Sequence, residues 1–218
     1  MSDELTVCYA VTPDGRYRRM AAASAYTVAR HNPDVRVRIV EVEAADYAYG
    51  IKPAALPREP AAPAPWVLFL DADTEATGPL APLMAGAAEF NARVGSAWSD
   101  GWVRARQWAA LCGHFGLPAR PGFNAGAFLC RGRVAAALAE AWPRWMRAIR
   151  EAGLEDPQRQ PRKPAWWMLD QYALTLAVVE AGLGVASWTR REHSFGWKGE
   201  GPGLIHHYGA KRWRSPFG

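Results

Sequence analysis

Residues 66–75, WVLFLDADTE, decide the fold that the rest of the chain is expected to adopt. An unbroken apolar run at residues 67–70 follows a segment rich in proline and alanine, and it ends in Asp71 and Asp73. Such a run is typical of a strand that is buried on both faces in a mostly parallel sheet. Ligands of open α/β sheets bind beyond the carboxyl ends of strands, where two nearby carboxylates can hold one divalent cation. The stretch therefore predicts a metal site, with a simple turn that favours Asp as the alternative.

The composition indicates a single domain with a sizeable core. The 218 residues are 50% hydrophobic, and the net charge of +5 suits a phosphorylated ligand but is too weak to indicate nucleic acid binding. Cys8, Cys112 and Cys130 show neither a metal-binding spacing nor a disulfide pattern, which favours a reducing compartment. The first residues carry no basic-then-apolar signal, and no run reaches transmembrane length. We therefore expect a cytoplasmic protein without a transmembrane segment.

The elements predicted around residues 66–75 alternate as in an α/β protein. Apolar patterns predict further strands at residues 5–11, 35–42, 93–98, 127–130 and 185–188. They predict helices at residues 17–31, 78–90, 134–152, with a bend or break at Pro143, and 166–181. Residues 98–115 show no clear period, and we expect irregular structure at residues 44–65, 153–164 and from residue 189 onward. The sequence contains no dinucleotide-binding fingerprint and no P-loop.

Five motifs occur in an order that resembles one known family. They are TPDGRY at residues 12–17, FLDAD at 69–73, FNAG at 123–126, Asp170-Gln171, and HHYGAK at 206–211 with a following Trp213. This order of motifs resembles that of the nucleotide-sugar glycosyltransferases of the GT-A fold. It is most similar to the order in their glycogenin-like, retaining family (glycosyltransferase family eight type). The closing motif departs from the family pattern, because it is one residue short before Lys211 and because Arg212 replaces a proline.

The resemblance spans nearly the whole chain and implies a fold class. That fold is a single-domain, Rossmann-like nucleotide-diphospho-sugar transferase with a mostly parallel central sheet flanked by helices. Residues 1–75 would form the nucleotide-binding half, and residues 76–218 would form the acceptor-binding half and the C-terminal tail. The implied activity is transfer of a sugar from a nucleotide-sugar donor, UDP-linked by resemblance, with retention of configuration. The acceptor stays open between a saccharide, a lipid-linked molecule and a protein.

The resemblance also implies the ligands of a metal ion. Asp71 and Asp73 would hold Mn²⁺ or Mg²⁺ against the donor diphosphate, and a histidine would complete the set. The spacing to Gly209 favours His206, whereas an aromatic residue directly after the histidine favours His207. Only one of two adjacent side chains in an extended segment can face the metal, and we prefer His206 because the glycine fixes where the backbone turns.

The remaining roles follow from the same resemblance. Asp170 and Gln171 would stabilise an oxocarbenium-like transition state, with a solvated helix face as the alternative. The donor would contact Tyr9, Ala10, Thr12, Asp14, Tyr17, Lys52, Asp71, Ala72, Asn124, Ala125, Gly126, Gly209 and Lys211. For Lys52, an exposed and solvated side chain is an equal alternative. Asp100 is the candidate base of an inverting enzyme, and Trp166 and Trp167 either form an acceptor platform or fill the core.

Three other functions remain open at the level of sequence. A phosphatase of the haloacid dehalogenase type also uses Asp-x-Asp, but it needs Thr or Val where Glu75 stands. A sugar nucleotidyltransferase needs a glycine-rich basic loop after the first strand, and TPDGRY is a poor version of one. A non-catalytic protein that binds a nucleotide or nucleotide sugar on the same fold is the third alternative.

Overall fold

A computed structural model describes residues 5–43, 48–58, 66–158 and 163–209. The strands are β1 (Leu5–Val11), β2 (Arg36–Glu41), β3 (Trp66–Leu70), β4 (Thr74–Ala76), β5 (Phe90–Val94), β6 (Phe123–Arg131), β7 (Val185–Ser187), β8 (His193–Phe195) and β9 (Ile205–His207). The α-helices are α1 (Gly15–His31), α2 (Ser96–Ser99), α3 (Ala105–His114), α4 (Gly132–Glu151) and α5 (Leu169–Glu180). Short 3₁₀ helices occupy Ala48–Ala55, Ala81–Leu83 and Gly196–Lys198.

The central sheet has the strand order β2-β1-β3-β6-β5-β7. Strand β6 runs antiparallel to both of its neighbours, and the other five strands share one direction. The predicted mostly parallel sheet is therefore confirmed. All five residues of β3 are buried, with Val67 and Phe69 in one core cluster and Leu68 and Leu70 in the other. Helices cover both faces of the sheet, which explains the unbroken apolar run.

A second sheet of three short strands, in the order β4-β9-β8, lies next to the end of β3. Strand β4 follows the Asp71–Asp73 turn directly and pairs with β9 so that Thr74 lies opposite His207. Strand β9 also pairs with β8, where Phe195 lies opposite His207. The expectation of irregular structure from residue 189 onward is therefore wrong. The pairing brings His207 of β9 next to the two aspartates.

Several predicted helices have different bounds. The helix predicted over residues 78–90 is wrong, because only Ala81–Leu83 turns as a 3₁₀ helix and β5 begins at Phe90. Helix α4 is not broken, because it continues through Pro143 while Trp142 and Trp145 are buried in the core. Helix α5 begins three residues later than predicted because Trp166 has a φ of 61°, outside the right-handed helical region.

Two further findings concern helix α3 and the length of the helices. Helix α3 had no clear sequence signal, since only Trp108, Leu111 and Cys112 of its ten residues are buried. Within the described ranges, no helix combines the length and apolar character needed to cross a membrane.

Candidate active site

The turn between β3 and β4 holds Asp71 and Asp73 in a fixed backbone. The amide of Asp71 donates a hydrogen bond to the carbonyl of Gly126 at 2.7 Å, which ties the turn to β6. The Thr74 hydroxyl donates to the carbonyl of Asp71 at 2.8 Å and closes the turn. Ser24 of α1 lies 3.1 Å from the Thr74 hydroxyl, and both side chains are buried. The two carboxylates therefore leave the end of β3 from a backbone that is braced on two sides.

His207 completes a cluster with these carboxylates. Its Nε2 lies 3.0 Å from Asp73 Oδ1 and 4.0 Å from Asp71 Oδ2, and one ligand atom from each of the three residues lies within 4.8 Å of the others. Two ligands at right angles around an ion with bonds of about 2.1 Å are separated by about 3.0 Å. Two carboxylates and one imidazole at these separations fit a divalent cation that accepts oxygen and nitrogen ligands.

The preference for His206 over His207 is corrected by this geometry. His206 Nδ1 lies 2.7 Å from the Ser194 hydroxyl, and its ring packs edge-on against Tyr208. Adjacent residues of a strand point to opposite faces, so β9 directs His207 to the aspartates and His206 away from them. The aromatic residue Tyr208, which favoured His207, was therefore the signal that agrees with this geometry. Gly209 does turn the backbone, with a φ of 77°, but it does not identify the ligand.

The charges in the cluster shift the titration of its members. Burial raises the pKa of Asp71, against the opposing charges of Lys52 and His207. Burial alone would also raise the pKa of Asp73, but the charge and hydrogen bond of His207 outweigh it and lower that pKa. Burial alone would lower the pKa of His207, yet Asp73 outweighs it and raises that pKa. The contact therefore favours an ionised Asp73 carboxylate beside a protonated His207 ring.

Lys52 links this cluster to the start of α5. Its Nζ lies 3.0 Å from Asp71 Oδ1 and 2.9 Å from Asp170 Oδ2, and it donates to the carbonyl of Ala125 at 3.3 Å. Lys52 is 6% exposed, so the alternative of a solvated side chain is wrong. Burial alone would lower the pKa of Lys52, but Asp170 and Asp71 outweigh it and raise that pKa. The ammonium group therefore stays charged between two carboxylates.

Asp170 and Gln171 occupy different environments at the start of α5. Asp170 is 4% exposed, so the alternative of a solvated helix face is wrong for this residue. Its carbonyl accepts a hydrogen bond from the Trp142 indole at 2.8 Å, which anchors the first turn of α5 to α4. Gln171 is half-buried, and its Oε1 has no hydrogen-bond partner among the residues that the structure describes.

The FNAG motif forms one wall of the site. The amide of Gly126 donates to Asn124 Oδ1 at 2.9 Å, and Asn124 and Ala125 are buried. A Cβ atom at Gly126 would lie 2.5 Å from His207 Cε1 and 2.7 Å from Asp71 Oδ2. Glycine is therefore required at this position because the metal-ligand candidates pack directly on the backbone. Ala72, between the two aspartates, is buried as well.

The residues predicted from the first strand lie in three settings. The Tyr9 side chain is fully buried and its hydroxyl lies 2.9 Å from that of Ser24, so its assignment to the donor pocket is wrong for the side chain. Ala10 and Thr12 are half-buried at the end of β1. Asp14 accepts from the amide of Arg16 at 2.7 Å and begins α1, where Tyr17 is 38% exposed. The predicted contact Lys211 lies outside the described residues.

The two candidates for acceptor chemistry also have partners. Asp100 pairs with Lys198 at 2.7 Å. Trp166 and Trp167 are half-buried, and Trp166 packs edge-on against Tyr172 while Lys163 lies over the Trp167 ring. Both tryptophans therefore combine partial core packing with partial exposure.

Comparison with known proteins identifies the family. A family model described as the Rhodobacterales glycosyltransferase domain matches residues 2–182. The chain belongs to this family. A search of curated protein sequences finds no match. As a glycosyltransferase, the protein is neither a phosphatase nor a sugar nucleotidyltransferase, and the reading as a purely binding protein is set aside.

Several glycosyltransferases of known structure have the same fold as this protein. The galactosyltransferase LgtC, in a complex with donor and acceptor sugar analogs, is 12% identical with a TM-score of 0.60, and the match covers 97% of this chain and 92% of LgtC. GlyE from Streptococcus pneumoniae TIGR4 is 16% identical with a TM-score of 0.54, over 94% of this chain and 54% of GlyE. Mouse xyloside xylosyltransferase 1 is 12% identical with a TM-score of 0.50, over 97% and 99%. The GT-A fold expected from the five motifs is confirmed.

Sequence reasoning about this glycosyltransferase missed three residues that support the cluster. Ser24 and Thr74 brace the turn that carries Asp71 and Asp73, and His193 packs against His207 with ring centroids 5.7 Å apart. Ser24 did give a signal, because it lies at helical spacing between Met20 and Val28, on the buried face of α1. Thr74 lies directly after Asp73, where a hydroxyl can close a turn. His193 gave no signal, because it falls in a stretch that the sequence indicated as irregular.

Proposed function

We propose that this glycosyltransferase moves a sugar from a UDP-linked donor with the help of Mn²⁺ or Mg²⁺ and retains the anomeric configuration. The observation that carries the proposal is the cluster of Asp71, Asp73 and His207 at the carboxyl end of β3. Ligands of open α/β sheets bind at this edge. The choice of UDP and of retention rests on the resemblance of the five motifs to the glycogenin-like family.

The charge of the site supports a divalent cation. Asp71, Asp73 and Asp170 supply three carboxylates, and Lys52 supplies one ammonium group. With His207 neutral, two negative charges remain uncompensated, which matches the charge of a divalent ion. A proton on the His207 ring would leave when such an ion binds, because a ligating imidazole is deprotonated. One nitrogen among oxygen ligands favours Mn²⁺ over Mg²⁺.

The residues around the cluster would hold the donor in place. When bound, the cation would neutralise the departing diphosphate as a Lewis acid. The half-buried Ala10 and Thr12 at the end of β1, with the exposed Asp14 and Tyr17, would line the nucleoside side of the donor. This placement supports residues 1–75 as the nucleotide-binding half. Lys211 would meet the diphosphate as a compact cation.

Asp170 and Gln171 would act on the transferred sugar. Lys52 fixes the Asp170 carboxylate, so its charge is already oriented before an oxocarbenium-like state develops. Gln171 Oε1 has no hydrogen-bond partner among the described residues and can accept one from the sugar after a rotamer change. An inverting enzyme needs a free carboxylate base near the acceptor. The Asp100 candidate is engaged by Lys198, which supports retention.

The half-buried tryptophans support an acceptor site in the second half of the chain. Trp166 and Trp167 lie shortly before Asp170, and both are partly exposed to solvent. Indole rings stack well on the apolar faces of sugars. Residues 76–218 would therefore supply the acceptor side, and a saccharide or a glycosylated lipid or protein would fit this chemistry.

A turnover assay tests the proposal. The purified protein is incubated with UDP-, GDP- and TDP-linked sugars, with Mn²⁺, Mg²⁺ or EDTA, and release of nucleoside diphosphate is measured. We expect release from a UDP sugar that depends on the added cation, and NMR of the product to show the anomeric configuration of the donor. Release that continues in EDTA would contradict the metal assignment, and an inverted product would contradict retention.

A further inference from the structure

None of the described residues holds the His207 ring by a hydrogen bond to its Nδ1 atom. A histidine that ligates a metal normally donates its other ring N–H to a carboxylate, a carbonyl or a water, and this bond fixes the ring plane. His207 directs Nε2 at Asp73, but its Nδ1 is buried and has no hydrogen-bond partner within the described part of the chain. Among the described residues, packing is therefore what orients the ring of His207.

His193 provides a flat surface for that packing. Its ring lies nearly parallel to that of His207, with an interplanar angle of 14° and ring centroids 5.7 Å apart. His193 is fully buried on β8, so the stacked arrangement is not a surface contact. Trp197 meets the His207 ring edge-on at 4.9 Å, and Phe195 lies tilted to it at 6.3 Å. Of these three rings, His193 is the one that lies parallel to His207.

His193 is itself firmly held. Arg93 Nη1 donates to the carbonyl of His193 at 2.8 Å, and the same guanidinium binds both carboxylate oxygens of Glu200 at 2.6 and 2.7 Å. Glu200 also accepts the amide of Phe195 at 2.7 Å. Strand β8 is therefore fixed on both sides of Ser194 by one charged pair. A rigid support of this kind is needed if the ring of His193 is to define the position of another ring.

We propose that His193 is a positioning residue that fixes the ring plane of His207, so that Nε2 stays directed at Asp73 and Asp71. The role rests on the proposed function, since it assigns His207 as a metal ligand. The contribution comes from the flat ring and not from its nitrogens, because neither nitrogen has a hydrogen-bond partner in the described residues. The alternative is that His193 only fills space in the core, and then any apolar residue of similar size would serve.

Two substitutions separate these roles. His193→Phe keeps a flat ring, whereas His193→Leu keeps an apolar side chain of similar size without one. We expect His193→Leu to weaken Mn²⁺ binding about 10-fold, the lower end of the effect of residues that orient metal ligands, and His193→Phe to stay within about 3-fold of the wild type. His114→Leu is the matched control, because this histidine is exposed on α3. Mn²⁺ binding is measured by electron paramagnetic resonance without nucleotide.

A second measurement reports on the ring without any metal. Histidine ring signals are recorded by ¹⁵N NMR in the metal-free protein, and the His207 signals are assigned by their loss in His207→Ala. We expect one sharp set of His207 signals in the wild type and in His193→Phe, and broadened or doubled signals in His193→Leu. Thermal unfolding of each variant confirms that it is folded.

The outcomes are distinguishable. Wild-type Mn²⁺ affinity and sharp His207 signals in a folded His193→Leu would overturn the proposal. Weakened affinity in a folded His193→Phe would also overturn it. If His193→Leu does not fold, His193→Met, which is also apolar and has no ring, takes its place, and wild-type affinity in that variant would overturn the proposal. Failure of the wild type to bind Mn²⁺ would instead contradict the proposed function, while the metal-free NMR signals would still report whether His193 orders His207.

Discussion

Lys52 and Asp170 form a buried ion pair in which the lysine Nζ lies 2.9 Å from the carboxylate Oδ2. Their side chains are only 7% and 5% exposed. Lys52 belongs to the 3₁₀ helix that precedes β3, and Asp170 belongs to the first turn of α5. Because Lys52 also contacts Asp71, this pair connects the metal-ligand candidates to the residues expected to act on the sugar. Loss of either partner should therefore affect both parts of the site.

Removal of the Lys52 charge should destabilise the fold. Breaking a buried pair leaves uncompensated charge and costs about 3–5 kcal/mol, so Lys52→Met should lower the free energy of unfolding by an amount in this range. Urea unfolding in EDTA measures it. Adding Asp170→Asn to Lys52→Met should restore part of the loss. Lys198→Met is the control, since its pair with Asp100 is partly exposed and should contribute less than about 1 kcal/mol. Equal losses in the two single variants would refute the buried-pair account.

A side chain at Gly126 should damage the metal site. The added Cβ of Gly126→Ala would lie 2.5 Å from His207 and 2.7 Å from Asp71, so these residues must move apart. We expect at least a 10-fold loss of Mn²⁺ affinity, of the order seen when residues that orient metal ligands are changed. Gly113→Ala in α3 is the control, because a Cβ there meets no atom within 4 Å and helix propensity favours alanine. Unchanged Mn²⁺ affinity in Gly126→Ala would show that the cluster is not the site.

Tyr9 should prove structural. Its hydroxyl contacts only Ser24 among the described residues, and Ser24 in turn contacts Thr74 of the turn that carries Asp71 and Asp73. Tyr9→Phe removes one buried hydrogen bond, so it should cost about 1 kcal/mol of stability and leave the donor KM unchanged. Thermal unfolding and donor titration measure the two effects. A raised donor KM with full stability would restore Tyr9 to the donor pocket.

Gln171 should affect the rate of transfer more than the binding of the donor. A group that acts mainly on the transition state contributes roughly 100- to 1000-fold to kcat, so Gln171→Ala should lower kcat in this range and leave the donor KM within about 3-fold. Steady-state kinetics with the active UDP sugar give both values. An increase in donor KM without a loss in kcat would make Gln171 a binding residue only.

The sequence predicted the elements that rely on local patterns. The bounds of β1 are those expected, and β3 and α1 differ from expectation by one and two residues. In α1 the apolar spacing reports which face is buried, and in β1 and β3 the nearly unbroken apolar run reports a strand that is largely buried on both faces. The Asp71 and Asp73 pair was predicted for the same reason, since it follows directly from where β3 ends.

Contacts between distant parts of the chain were not predictable from local patterns. Strands β8 and β9 have three residues each, too few to show a period, and they form because β9 pairs with both β4 and β8. The choice between His206 and His207 depends on that pairing. Lys52 is buried only because Asp71 and Asp170 meet it, and no pattern around Lys52 reports this. Trp166 lies outside the helix that was predicted to begin there. Its φ is positive, and its backbone amide donates a hydrogen bond to the Asp156 carboxylate.

A Mn²⁺ titration followed by electron paramagnetic resonance tests the central claim, that Asp71, Asp73 and His207 hold one divalent cation. The wild type, Asp73→Asn, His207→Ala and His206→Ala are compared without nucleotide, and circular dichroism confirms that each is folded. We expect one bound ion in the wild type and in His206→Ala, and at least 10-fold weaker binding in the other two, because each loses a ligand. Full affinity in His207→Ala together with weakened binding in His206→Ala would contradict the claim.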